Sequence, residues 1–234
     1  MTDIKGAVVL VTGGGRGLGK ALAAEALARG ASKVYATARD PKTITNPDVV
    51  PLALEVTDPA SVAALVEQTK DVTVLVNNAG IYTAASLLTG DVAEIRNEFE
   101  TNFYGPLQLI QALAPQIVAN GGGHIVNVAS VLSWAALGNS YSANKAAVWS
   151  MTNSLRLELA GQGVGVTGLY VGYMDTDMAA AVTDFKTDPA EVARLTFDGV
   201  QAGAHEVLAD EMTRQVRSGL SAEVTALYPQ LLAS

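Results

Sequence analysis

Ala7-Val8-Val9-Leu10-Val11-Thr12-Gly13-Gly14-Gly15-Arg16-Gly17-Leu18-Gly19 is the stretch on which the fold turns. Its first five residues are apolar without alternation, as in a short strand covered on both faces. A helical pattern, Leu18 to Arg29, begins directly after the glycines. Glycines permit a tight turn and let the backbone approach a pyrophosphate, whose charge the helix N-terminus then favours. The spacing is G-x-x-x-G-x-G, at Gly13, Gly17 and Gly19 with Gly15 between, and not G-x-G-x-x-G. The strand before and the helix after, more than the glycine count, make this a dinucleotide-binding turn; a merely flexible turn is the alternative.

Working outward, further strands are expected at Lys33–Thr37, Val49–Leu54, Val72–Asn77, His124–Ala129 and Val164–Tyr170, with a last one at about His205–Leu208. Helical patterns run over about Pro59–Thr69, Asp91–Val118 and Ser142–Ala160, and a further helical stretch ends near Ser218. Asp58 before Pro59 reads as an N-cap followed by proline at the first helical position. Gly121-Gly122-Gly123 reads as a helix-to-strand turn. This alternation implies an α/β fold, a doubly wound parallel sheet with helices on both faces. The length of 234 residues suggests one domain spanning 1–234. Its pattern loosens at about 175–200, which reads as a loop with a helix or two, placed to cover a substrate beyond the strand ends.

Composition narrows the function classes. Hydrophobic residues make up 49% of the chain and charged residues 16%, which argues against disorder. A net charge of -8 argues against nonspecific binding to nucleic acid or to anionic membranes. With no cysteine and two isolated histidines, His124 and His205, neither a thiolate nor a metal cluster is expected. No charged leader with an apolar run precedes Ala7, and no apolar window approaches the roughly 20 residues of a membrane helix. A soluble cytoplasmic protein is the expectation.

Cofactor choice should be legible at the end of the second strand, where an acid would bind a ribose hydroxyl and an arginine a 2′-phosphate. The strand ends at Ala38 and Arg39, with no acid at Ala38, and Arg16 adds a cation in the glycine turn. Asp40 complicates this, because it could pair with Arg39. NADP(H) is the preferred cofactor on this reading, with NAD(H) possible. Tyr141 and Lys145 lie four residues apart and so share a helix face. An ammonium beside a phenol would lower the phenol's pKa from about 10 and ready it for proton transfer to an alcohol oxygen.

The glycine turn, Asn77-Asn78-Ala79-Gly80 and Tyr141-Ser142-Ala143-Asn144-Lys145 together resemble the short-chain dehydrogenase/reductase family, over about Ala7 to Met178. The resemblance implies a single Rossmann-like domain with about seven parallel strands, and hydride transfer between nicotinamide and a carbonyl or alcohol carbon. It implies Tyr141 as general acid and base, and Lys145 holding the nicotinamide ribose while lowering the tyrosine pKa. Ser130, ending Val126-Asn127-Val128-Ala129-Ser130, resembles the serine that bonds the substrate oxygen, although Ser133 is also near enough in sequence. Asn102, before Phe103-Tyr104-Gly105, resembles an asparagine supporting a water path to the lysine, and Gly105-Pro106 suggests a bend. Further cofactor contacts implied are Leu18, Glu55, Val56, Asn78, Ala79, Gly80 and Thr176. Glu55 stands where the family usually has aspartate or asparagine, and Val171 where it usually has proline.

Candidates for the substrate wall are Tyr82, Leu132, Trp134, Tyr173, Met174 and Phe185, with core packing the alternative for each and most of all for Leu132 and Phe185. They suit a moderately hydrophobic ketone, aldehyde or secondary alcohol. A 3-oxoacyl carrier-protein reductase is the enzymatic alternative, although Asn120–His124 and Gly161–Gly165 offer an acidic carrier no lysine or arginine. A non-enzymatic dinucleotide sensor on the same fold is the other. The resemblance implies a homodimer or homotetramer, since many such proteins associate through the end of the chain and the long helices around Asn102 and Tyr141.

Overall fold

The computed structural model describes residues 1–233. Its strands are β1 (Val8–Val11), β2 (Lys33–Ala38), β3 (Val50–Ala53), β4 (Val74–Asn77), β5 (Gly123–Val128), β6 (Val164–Tyr170) and β7 (Glu206–Leu208). All pair in parallel in the order β3-β2-β1-β4-β5-β6-β7, a Rossmann-like sheet of seven strands among the described residues. The central β4 is buried at every position, which explains its unalternating Val-Leu-Val run. Pro51 cannot donate to a ladder, and β3, which carries it, is an edge strand paired only with β2.

The helices are α1 (Gly17–Ala28), α2 (Pro59–Gln68), α3 (Val92–Phe99), α4 (Gly105–Ala119), α5 (Ser140–Glu158), α6 (Pro189–Ala202), α7 (Glu211–Ser218) and α8 (Val224–Leu227). Two apolar layers sandwich the sheet. On one face Leu18 and Leu22 of α1 pack with Val192, Phe197 and Val200 of α6. On the other, Leu65 of α2, Leu109, Leu113 and Ile117 of α4 and Val148 and Leu155 of α5 form the second layer. The carboxylate of Asp58 accepts from the Ala60 N–H at the start of α2, as its place before Pro59 implies.

Two expectations need correction. The helix expected over Asp91–Val118 is interrupted by a π-helical turn, Glu100–Tyr104, between α3 and α4. Pro106 explains the interruption: it has no N–H for the Asn102 carbonyl, and its ring would crowd that oxygen in a regular helix. A widened turn relieves both, and such turns recur at functional sites. The segment 175–200 is a loop followed by a helix, as its pattern indicates, but the helix belongs to the core and only the loop is placed to cover anything. From Pro189 onward the chain is α6, with Val192, Ala193, Phe197 and Val200 buried against the sheet, which leaves residues 175–188 as the loop.

His124 is buried in β5, its Nε2 2.7 Å from Thr167 Oγ1. Burial, then the nearby N-terminal ammonium, pulls its pKa down to about 4 from 6.5. The unfolded chain therefore binds the extra proton first, so this contribution is complete above about pH 6.5 and is lost as pH falls toward 4. Between pH 7 and pH 5 the loss amounts to about 2 kcal/mol. Urea unfolding at the two pH values should show His124→Asn losing less stability than the wild type; parallel losses would contradict this account.

Candidate active site

The crevice lies where β1 adjoins β4, and it is held by hydrogen bonds from one threonine. Thr12 Oγ1 accepts from the N–H groups of Asn78 and Ala79, both at 2.9 Å, and the Thr12 carbonyl accepts from Asn78 Nδ2 at 2.8 Å. The glycine turn is thereby sewn to Asn78 and Ala79. A Cβ on Gly19 would lie 2.1 Å from the Gly13 carbonyl oxygen, so only glycine lets α1 begin this close to the turn. Gly13 has φ +66°, and a Cβ there would meet Ala79 Cα and Asn78 Nδ2 at 3.1 Å. On the other side Gly17 faces the Thr176 methyl, 3.2 Å from its own Cβ position. The turn, Asn78-Ala79 and Thr176 therefore form one cradle with backbone exposed to a ligand, a fit to a dinucleotide pyrophosphate.

Tyr141 and Lys145 sit on the first turns of α5, which Asn139 caps by accepting from the Ser142 N–H. The helix starts at Ser140, two residues before the sequence pattern suggests, so the tyrosine lies within it. Lys145 is buried and donates to the Val128 carbonyl at the end of β5, 2.9 Å away. Its ammonium lies 5.4 Å from the centroid of the Tyr141 ring, and Tyr82 meets that ring edge to face at 5.2 Å. The expected lowering of the phenol's pKa is not found. Burial, then Glu98 and Tyr82, push the Tyr141 phenol above its ordinary value. The cation stands over the ring, engaged with a carbonyl, and does not offset that burial. Lys145 is itself pulled down to about 8 by burial, with the Glu98 carboxylate acting in the opposite direction.

Ser130 and Asn102 are both buried, each with local partners. Ser130 Oγ accepts from the Leu132 N–H at 3.1 Å and lies 3.4 Å from the Val171 carbonyl, so it caps the short 3₁₀ turn Val131–Ser133. Ser133 Oγ is buried with no hydrogen-bond partner among the described residues. Asn102 pins Ile81: its Oδ1 accepts from the Ile81 N–H and its Nδ2 donates to the Ile81 carbonyl, both at 2.9 Å. The same Nδ2 reaches Asn144 Oδ1 at 3.2 Å. Sequence reasoning missed Glu98, fully buried in α3 and accepting from Thr83, Ser140 and Asn144. The available signal was its place four residues before Asn102, hence on the same helical face.

Among the other anticipated residues, Arg39 is exposed with no hydrogen bond or ion pair among the described residues, whereas Arg16 pairs with Asp177 at 3.3 Å on the surface. Asp40 does not pair with Arg39; its carboxylate accepts from the Lys42 N–H. Ala38 packs near Gly15, and Glu55 Oε1 accepts from Thr57. Val56 is buried against Gly105. Gly80 lies against Asn102 Oδ1, and Leu18 is core. Leu132 and Trp134 border a cavity of about 290 Å³ with Leu87, Asn139 and Tyr228. Trp134 is at the same time a buried residue, stacked on Tyr170 at 4.3 Å, so it belongs to the core as well as to the edge of the cavity. Tyr173 and Met174 are half-buried on the loop after β6, apart from that cavity, and Phe185 is 84% exposed and so not core.

The sequence model of the short chain dehydrogenase family matches residues 7–187. The chain belongs to that family. A short-chain dehydrogenase of Burkholderia cenocepacia, solved in complex with NADP, is 37% identical, covers 98% of this chain and 99% of its own, and superposes with a TM-score of 0.93. An uncharacterized oxidoreductase of Staphylococcus saprophyticus is 34% identical over 225 residues, covering 88% of this chain and 95% of the relative. The 3-oxoacyl-[acyl-carrier-protein] reductase of Vibrio cholerae is 35% identical over 196 residues, covering 78% and 79%.

Within this short-chain dehydrogenase, Lys145 should titrate near pH 8 in the cofactor-free protein, well below an ordinary lysine. Nitrogen-15 detection of lysine side chains, with Lys145→Met for assignment, reads the midpoint; a value near 10.5 would contradict the burial argument.

Proposed function

We propose that this chain is an NADP(H)-dependent oxidoreductase interconverting a ketone or aldehyde with its alcohol. The observation that carries the reading is the convergence of the Tyr141–Lys145 pair with the glycine cradle, Asn78–Gly80 and Thr176 at one end of the sheet. The backbone of Gly13–Gly19 would hold the pyrophosphate, Arg39 the 2′-phosphate, and Asn78, Ala79, Gly80 and Thr176 the nicotinamide side. Bound NADPH would supply a hydride to the carbonyl carbon. The Tyr141 hydroxyl gives its proton to the oxygen as charge develops there, and takes it back in the oxidation direction. A serine hydroxyl, Ser130 or Ser133, donates a hydrogen bond to the same oxygen. At neutral pH Lys145 is mostly an ammonium, the state that donates to ribose hydroxyls.

NADP(H) preference is supported by the unpaired Arg39, by the absence of an acid at Ala38, and by the NADP-bound relative. NAD(H) remains a usable second cofactor on this reading, and a more distant relative from Burkholderia phymatum is solved with NAD. We place the enzyme in the cytoplasm as one nucleotide-binding domain over 1–234. Its homo-oligomer forms through α4 and α5, near the exposed Tyr104 and Leu157. No helix among the described residues is long and apolar enough to cross a membrane. Relatives named 3-oxoacyl carrier-protein reductases favour a second reading, in which the carbonyl is carrier-bound. Faster turnover of carrier-bound 3-oxoacyl chains than of free ketones would select it, and cofactor binding without any turnover would select a sensor.

Loss of NADPH absorbance with a panel of ketones and aldehydes tests the main reading. Tyr141→Phe should lower kcat by about 100-fold or more while NADPH affinity changes little. Retained turnover would contradict the assigned role. Arg39→Ala should raise the KM for NADPH by roughly tenfold or more and leave NADH nearly unaffected; equal effects on both cofactors would remove Arg39 from the phosphate site.

A further inference from the structure

We propose that Glu98 is a positioning residue for the Tyr141–Lys145 pair, its buried carboxylate locking the start of α5 to the Asn102 bend and to the loop after β4. The inference rests on the carbonyl–alcohol reading and adds to it a residue that never touches substrate. Glu98 is fully buried and forms no ion pair among the described residues. One carboxylate oxygen accepts from the Thr83 N–H at 2.8 Å and from the Thr83 hydroxyl at 3.2 Å. The other accepts from the Ser140 hydroxyl and from Asn144 Nδ2, the latter at 3.0 Å. Ser140 and Asn144 each immediately precede a member of the pair. Asn144 passes the restraint on, because its Oδ1 accepts from Asn102 Nδ2, and Asn102 holds Ile81 through both backbone groups.

A burial site for an apolar side chain would not need this set of donors. Filling the space could be done by leucine or methionine; only an acceptor with two oxygens gathers Thr83, Ser140 and Asn144 at once. The loop it holds is itself under constraint. Ala84, between Thr83 and the Ala85 carbonyl that accepts from the Ser140 N–H, has φ +57°, a left-handed conformation that a β-carbon disfavours. The charge also matters to the pair. Of the two, Tyr141 is pushed further up by the Glu98 carboxylate, and on the Lys145 ammonium Glu98 opposes the effect of burial.

Glu98→Gln tests the lock, because the amide cannot satisfy both sides. With Nε2 toward Thr83 it meets an N–H that cannot turn. With Nε2 toward Asn144 it forces that amide to flip, so that Asn144 and Asn102 then face each other donor to donor. The variant should lower kcat by tenfold or more with the KM for NADPH within about threefold, and the Ile81 amide should lose protection in hydrogen exchange. In Glu98→Gln/Asn144→Asp the new carboxylate accepts both from the amide introduced at position 98 and from Asn102, and both properties should return to within about threefold of the wild type. A lowered melting temperature with kcat and Ile81 exchange unchanged overturns the inference, as does a double variant that restores neither. Should the wild type turn over no carbonyl compound, the oxidoreductase reading fails by itself, and Ile81 exchange in the two variants still decides the positioning role.

Discussion

The reversal of winding between β1 and β4 is the constraint on which this structure depends. The chain builds outward from β1 through β2 to β3, then returns to lay β4 on the other side of β1 and continues in the opposite direction. Crossovers on the two sides lead away from each other, and a crevice opens above the strand ends between them. Backbone groups in such a crevice have no neighbouring strand to pair with. Thr12 supplies partners for several of them, and it ties the glycine turn to Asn78 and Ala79 through bonds near 2.9 Å. The cradle is therefore as rigid as the sheet beneath it.

That position sets a physical tension for the chemistry. A site close to the centre of the sheet is dry, and dryness makes charge costly. Burial drives the Tyr141 phenol up and the Lys145 ammonium down, both toward their neutral forms. The protein answers with polar groups that are themselves buried and bonded: the Val128 carbonyl under Lys145, the Asn102–Ile81 clasp, and the carboxylate of Glu98. Such networks specify one arrangement when every member is satisfied. On the proposed reading, tuning of the pair is thus a matter of which charges remain near it once water has been excluded.

The sheet was largely legible because its strands are short apolar runs bounded by turn residues, and β6 runs from Val164 to Tyr170 as its pattern indicates. Helix interiors were legible for the same reason, and helix ends less so. The π turn before Gly105 depends on Pro106 and on tertiary bonds made by Asn102, neither of which alters the apolar period. The Tyr141–Lys145 spacing and the glycine turn pointed to the candidate site. The direction of the tyrosine's pKa shift was misread, because it depends on ring orientation and burial that spacing does not carry. Glu98 escaped notice because an acid inside a helix ordinarily faces water. Trp134 follows a strand end, and its stacking on Tyr170, which sequence does not carry, shows that it packs in the core as well as bordering the cavity.

A crystal structure of the NADP(H) complex examines the central claim most directly. The account predicts the nicotinamide between Asn78–Gly80 and Thr176, the Tyr141 hydroxyl beside the ring's reactive carbon, Lys145 on the adjoining ribose and Arg39 on the 2′-phosphate. A coenzyme bound with its nicotinamide away from Tyr141, and Lys145 still committed solely to the Val128 carbonyl, would contradict it.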